Sequence, residues 1–295
     1  MGIVPAEVLW SACLSKLRTG NYEGNWPSHE IIRTGNPTKL GAFEPTPTYG
    51  MPIWDGKPVK HLVVNVDCGL GDTIQFFRFC KLINAESITI ICPCDLWSLF
   101  SGYGFNFNEE PVLGDAIIHI MALPKVLGVS DREINGFPYL ETKNMMTDVL
   151  KTTINDLKKM QFTKIGLCLA GSPFNPRDSE RSIDLDKAKP LFDLLPLFNF
   201  NKIETRTNSK LLPLPLIDFN HTAHLLKEMN SLITVDTAVA HLAGALGVQT
   251  WLLLKDNCDW RWSDKAFTQW YNSMVIIRGS DEELIEQARN LILAS

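Results

Sequence analysis

Two short stretches, GLGD at 69–72 and VDTAVAH at 235–241, concentrate residue types that can move a proton or hold an anion. In the first, Gly69 and Gly71 follow a buried apolar run and Asp72 opens a helix. A carboxylate there can take a proton from a substrate hydroxyl, or it can simply cap a tight turn. The spacing begins like a dinucleotide fingerprint, but Ile74 stands where the third glycine belongs. An acid at the helix start would also compete with phosphate for the positive end of the dipole. In the second stretch Asp236 reads as an N-cap, with Thr237 and His241 on one face and Gly244 continuing it. Unsatisfied amides at such a helix start attract a diphosphate, which His241 could also contact. The competing reading is a structural histidine beneath an Asp cap.

Two further segments could serve the same anion. AGSPFNPRDSERSIDL carries Arg177 and Arg181, whose planar forks suit diphosphate oxygens. Its plainer alternative is a solvated loop in which Arg181 pairs with Asp178 or Asp184. NCDWRWSDKAFTQWY sets Arg261 between Trp260 and Trp262, with Trp270 and Tyr271 beyond. That cluster can stack a base or sugar, or form a packed corner of a core.

The elements that must position these residues follow an alternating rhythm. HLVVNV (61–66), SITIIC (87–92) and DAIIHI (115–120) are continuous apolar runs of strand character. The helix DTIQFFRFCKLI lies between the first two. A second series comprises KIGLCLA (164–170), NKIETRT, SLITV, TWLLL and MVIIR, with helices expected at 185–196, 221–229 and 237–246 and a closing helix DEELIEQARNLILA. This is the pattern of parallel sheets covered on both faces. Two short helices precede it within 3–34, followed by the linker GNPTKLGAFEPTPTYGMP, and a boundary is expected in the polar segment 141–163.

The chain has 295 residues, 45% hydrophobic and 21% charged, and a formal charge of −5, which fits a two-domain globular protein and disfavours a nucleic-acid partner. Seven cysteines, several inside apolar runs, suggest reduced thiols. Cys92 and Cys94 have no matching second pair, so no metal site is expected. The start lacks a signal-peptide pattern, and Ala6 stands where a myristoylation signal has Ser or Thr. No run is long enough to be an integral membrane segment. A cytoplasmic location is expected.

Taken together, WDGKPVKHLVVNVDCGLGDTIQFFRF, KIGLCLAGSP with its trailing RSIDL, VDTAVAHLAGALGVQTWLLL and DWRW followed by QWY resemble glycosyltransferase family 9, the heptosyltransferase-like enzymes. The variety found behind tetratricopeptide repeats is the most similar; LRTGNYEGNWPSHE resembles its last repeat helix pair. The resemblance implies an α/β, GT-B architecture: two Rossmann-like lobes with parallel sheets facing across a cleft. It implies a helix pair and linker at 1–40, an acceptor lobe at 41–155 and a nucleotide-sugar donor lobe at 156–295. The implied reaction is inverting and metal-independent, with no cofactor beyond an ADP-, GDP- or UDP-linked sugar as donor. The implied acceptor is a hydroxyl of a glycan, and peripheral association with a lipid-linked acceptor is compatible with this. Asp72 falls on the position of the base, with Gly69, Leu70, Gly71 and Gln75 on the acceptor-side loop. Ser172, Arg181, Ser182, Asp236, Thr237, Ala238, His241, Trp260 and Arg261 fall on the donor side. An inactive nucleotide-sugar-binding protein and a nucleotide-sugar epimerase are the alternatives on the same fold. The chain departs from the family pattern at Asp67-Cys68, Leu169, Asn175 and His221.

Overall fold

The computed structural model describes residues 5–35, 48–142, 146–194, 196–203, 206–263 and 265–295. By compactness the chain divides into two units, Met1–Asn135 and Gly136–Ser295.

The first unit contains a four-stranded parallel sheet. Strands β1 (Val59–Asn65), β2 (Ala85–Ile91), β3 (Asn106–Asn108) and β4 (Ala116–His119) lie in the order β3-β2-β1-β4. Register follows the apolar runs: Leu62 pairs with Ile88 on one side and Ala116 on the other. The carboxyl-end halves of β1 and β2 are wholly buried, as expected of a sheet covered on both faces.

Before the sheet come α1 (Ala6–Arg18) and α2 (His29–Gly35); α3 (Leu70–Cys80) joins β1 to β2, and the short α4 (Trp97–Phe100) and α5 (Leu123–Val126) follow. Helix α3 is anchored by Phe76, Phe77 and Phe79, each at most 1% exposed. Phe77 stacks on Phe100 at 3.8 Å, and Trp26 meets Phe76 and Phe79 edge-on at 6.2 and 6.3 Å. Burying each such ring contributes about 1.5–3 kcal/mol. The N-terminal helices therefore belong to the packing of the first unit. Trp26 also donates its indole N–H to Val129 O at 2.9 Å, and His29 Nδ1 accepts the His119 amide at 3.0 Å. Most of the linker expected after α2, residues 36–47, lies outside the described residues.

The second unit has a five-stranded parallel sheet of β5 (Ile165–Cys168), β6 (Leu197–Asn199), β7 (Ser231–Val235), β8 (Thr250–Leu254) and β9 (Met274–Arg278), in the order β6-β5-β7-β8-β9. Its helices are α6 (Asp148–Lys159), α7 (Phe219–Lys227), α8 (Ala238–Leu246) and α9 (Asp281–Leu293). One core runs between the sheet and α9, through Leu167, Ile233, Val235, Leu253, Leu284 and Ala288.

Two expectations need correction. Among the described residues of 185–196 there is no α-helix but a run of turns with a 3-10 turn at Lys189–Leu191, because Pro190 removes a backbone donor and clashes with a preceding turn. The strand expected at NKIETRT lies earlier, at Leu197–Asn199. The segment 141–163, read as a boundary, contains α6, whose Leu150, Ile154 and Leu157 are buried. Thr147, the N-cap of α6, bonds His221 Nε2 at 3.0 Å, while His221 Nδ1 meets Asp218 at 2.7 Å. This tie holds α6 to α7, both within the second unit. It also gives His221 a structural task.

Candidate functional site

In the first unit, the turn from β1 to α3 lies at the carboxyl end of the sheet, where open α/β sheets bind ligands. Gly69 is the N-cap of α3, with extended backbone, so the helix opens at Leu70 and Asp72 is its third residue rather than its first. The Gly69 amide donates to Asp72 Oδ2 at 3.1 Å. This contact is half of a capping box: it satisfies an orphan donor and fixes the carboxylate against the turn. Thr73 Oγ1 donates to Gly69 O at 3.1 Å, and Cys68 Sγ lies 3.8 Å from that hydroxyl. Leu70, Gly71 and Asp72 are partly accessible, whereas Gln75 is fully buried and serves the interior instead of the loop.

Beside this turn stands a residue that the sequence reading passed over. His119, at the end of β4, is 1% exposed; its Nδ1 accepts the Met121 amide at 3.1 Å and its Nε2 lies 3.7 Å from Asp67 Oδ1. The only hint was a histidine inside the apolar run DAIIHI.

The second unit gathers the loops after β5, β7 and β8. Thr237, not Asp236, is the N-cap of α8: its Oγ1 accepts the Ala240 amide at 3.4 Å and lies 3.3 Å from Thr234 Oγ1. Ala238 is the first helical residue, and the amides of Ala238 and Val239 have no partner within the helix. Gly247 closes the helix in the left-handed conformation, φ 74°, as a C-terminal glycine should.

Asp236 is displaced one residue outward, with a side chain 17% exposed. Its pKa is raised to about 6, first by burial and then by the neighbouring charge of Asp259; the Trp262 indole, Arg181 and Arg261 pull the other way. His241 is 5% exposed and stacks on Trp262 at 5.1 Å, with its Nδ1 2.9 Å from Tyr271 Oη and its Nε2 3.9 Å from Asp236. A Cβ on Gly244 would come within 2.3 Å of the Tyr271 ring. The small-residue face expected to admit a ligand is thus filled by Tyr271 and Trp262. Only the first turn of α8, with Ala238 and Val239 half-buried, presents an approach.

The loop after β5 gives a mixed result. Arg181 pairs with Asp178 at 3.4 Å, one of the alternatives read from sequence, and its charge also reaches Asp236. Ser182 is committed to scaffolding: it donates to Asp178 Oδ1 at 2.8 Å and accepts the Gly171 amide at 2.9 Å. Ser172 is exposed, and its Oγ accepts the Phe174 amide at 3.4 Å. Arg177 bonds Glu180 at 2.6 Å and feels Asp259 and Asp236. Lys255, at the end of β8, donates to the carbonyls of Ser179 and Ser182, fastening the loop to its neighbour strand.

The aromatic segment is a packed corner. Trp260 and Arg261 are each 7% exposed, Arg261 lies 4.6 Å from the centre of the Trp260 ring and pairs with Asp259 at 2.7 Å, and Trp260 meets Trp270 edge-on at 6.1 Å. Among its described residues the tryptophans and Tyr271 are buried and offer no open stacking face, whereas Phe267 is exposed; the Trp262 indole and Arg261 act on Asp236, as does the charge of Asp259. At the loops that follow β5, β7 and β8, the charges of Arg181 and Arg261 act on Asp236, and Arg177, paired with Glu180, feels Asp259 and Asp236. Among the described residues, no group of three or more His, Cys, Asp or Glu side chains is arranged to hold a metal ion, and no helix is long and apolar enough to cross a membrane.

No protein-family model matches the chain, and no curated protein matches it by sequence. Among solved structures it is similar to a glycosyl transferase family 9 protein from Veillonella parvula, at 12% identity and TM-score 0.55, covering 82% of this chain and 99% of that one. It is also similar to the iron-containing dodecameric glycosyltransferase TibC from enterotoxigenic E. coli, at 12% identity and TM-score 0.51, covering 77% of this chain and 64% of the other. The α/β fold with two parallel sheets is therefore shared with glycosyltransferases of that group.

Proposed function

We propose that the chain is a glycosyltransferase moving a sugar from a nucleoside-diphosphate sugar to a hydroxyl of a glycan acceptor, with inversion and without a metal. One observation supports the reading: the loops at the carboxyl ends of three parallel strands supply the amide-bearing start of α8 and three arginines, 181, 261 and 177, whose charges act on Asp236 just before that helix. That arrangement suits a diphosphate, because helix amides and guanidinium forks both favour clustered negative charge. The shared fold supports the same class of reaction.

In this reading Asp72 accepts the acceptor hydroxyl's proton while that oxygen attacks the anomeric carbon. The nucleoside diphosphate departs from the opposite face of the sugar. Its growing charge is met by the amides of Ala238 and Val239 and by Arg181, groups fixed before reaction begins. The bond between Asp72 and the Gly69 amide holds the carboxylate in one orientation. The same bond favours a second reading, in which Asp72 is only a cap and the chain binds nucleotide sugars without turning them over.

The test is release of nucleoside diphosphate from ADP-, GDP- and UDP-linked sugars, with and without a mixture of saccharide acceptors. One donor is expected to be consumed in an acceptor-dependent manner. Isomerisation of the donor without acceptor would replace transfer with epimerisation, and binding with no turnover would favour the second reading.

A further inference from the structure

The loop after β5 is held in a way that simple surface pairing does not require. Asp178 has a side chain 9% exposed and stands between two guanidiniums: Arg181 Nε at 3.4 Å and Arg206 Nη1 at 2.8 Å. Ser182 Oγ adds a third donor at 2.8 Å and is itself fixed by the Gly171 amide. The single Asp178 carboxylate faces both guanidiniums and by itself neutralises only one of them. The bond to Arg181 uses Nε, and among the described residues the terminal nitrogens of Arg181 make no hydrogen bond. Arg181 is 24% exposed, so these nitrogens can reach an incoming group.

Gly171 defines the other side of the same guanidinium. A Cβ there would lie 2.5 Å from Nη2 and 2.7 Å from both Cζ and Nε. The guanidinium rests against bare backbone, and any side chain at 171 would displace it. Its charge also acts on Asp236 at the end of β7.

We infer that Asp178 and Gly171 are positioning residues that fix Arg181 as a pre-oriented fork for the diphosphate of the donor, with Arg206 brought in as a second cation. This rests on the nucleotide-sugar reading and identifies what prepares its anion site. A fork held in place before binding loses less rotamer freedom when the ligand arrives, which raises affinity without a new contact.

The experiment is calorimetric titration of the full-length chain with ADP, GDP and UDP and with the matching uncharged nucleosides. For the nucleoside diphosphate that binds the unsubstituted chain, Arg181→Ala is expected to weaken affinity about tenfold to a hundredfold, the range for a charge-assisted contact. Asp178→Asn and Gly171→Ala are expected to reproduce most of that loss while leaving nucleoside affinity unchanged. The double variant Asp178→Asn/Arg181→Ala is expected to bind no worse than Arg181→Ala alone, since both remove the same contact. Gly171→Ala keeps Asp178 intact and so protects the test against misfolding of the Asp178 variant. Unchanged diphosphate affinity in both single variants, an additive double variant, or equal loss of nucleoside affinity would overturn the inference. Absence of any nucleoside-diphosphate binding by the unsubstituted chain would instead remove the underlying functional reading.

Discussion

The turn from β1 to α3 and the turn from β7 to α8 are built alike and use their aspartates differently. Each leaves the carboxyl end of a buried parallel strand and enters a helix within a few residues. In the first, Asp72 sits inside the helix and closes on the Gly69 amide. In the second, Asp236 stands before the cap, Thr237 takes the capping role, and burial with Asp259 nearby raises the Asp236 pKa to about 6. Both are partly accessible, but one acid is anchored by the backbone and the other lies where an indole and two arginine charges act on it. A carboxylate beside a helix start is thus no uniform signal. Its position relative to the cap decides whether the amides are spent on it or remain available to an anion.

The sharpest way to break this contrast is at Asp72. Asparagine keeps an acceptor for the Gly69 amide but cannot take a proton. Asp72→Asn is therefore expected to reduce transfer by about a hundredfold to ten-thousandfold with its melting temperature unchanged. Asp72→Ala should show the same loss and also about 1 kcal/mol lower stability, from the lost cap. Equal activity of the asparagine variant and the parent would reduce Asp72 to a cap, and chemical denaturation of both variants separates the two roles.

At the other turn, Gly244→Ala drives a methyl group into the Tyr271 ring. A loss of about 1–3 kcal/mol on unfolding is expected, the usual cost of overpacking. If that variant is as stable as the parent, the Tyr271 ring does not pack against the bare backbone at Gly244.

The smallest effect concerns Asp236 and pH. Its folded pKa is raised from 3.8 to about 6, so the native state binds more protons than the unfolded chain between those values. Stability from this group is complete below 3.8 and is lost as pH rises through 6. Asp236→Asn removes that pH-dependent cost. The variant should melt at the parent's temperature near pH 4 and a few degrees higher at pH 7. A difference that shrinks as pH rises would reverse the assignment.

Much of the framework was legible in the sequence because parallel strands buried on both faces are unbroken apolar runs. SLITV, TWLLL and MVIIR coincide with strands, HLVVNV overlaps β1, and α8 and α9 start within a residue of expectation. The three-residue β3, with asparagine at each end, carries no such signal. Residues 185–196 had the apolar spacing of a helix, but Pro190 prevailed. At the site, turn chemistry was readable locally, whereas the partners were not. Tyr271 reaches His241 from another loop, Asp259 meets Asp236 through space, and His119 meets Asp67 from a neighbouring strand. These are consequences of strand order, which apolar periodicity does not encode. The open face imagined around Gly244 failed for that reason: the missing side chain makes room for Tyr271 rather than for a ligand.

The most direct measurement is thermal unfolding of the full chain with ADP-, GDP-, UDP- and CMP-linked sugars. The account predicts that one class of nucleoside-diphosphate sugar raises stability by about 2.7 kcal/mol at a hundredfold excess over its dissociation constant, and that Arg181→Ala suppresses the rise. No shift with any of these donors at millimolar concentration, or a shift indifferent to Arg181, would contradict it.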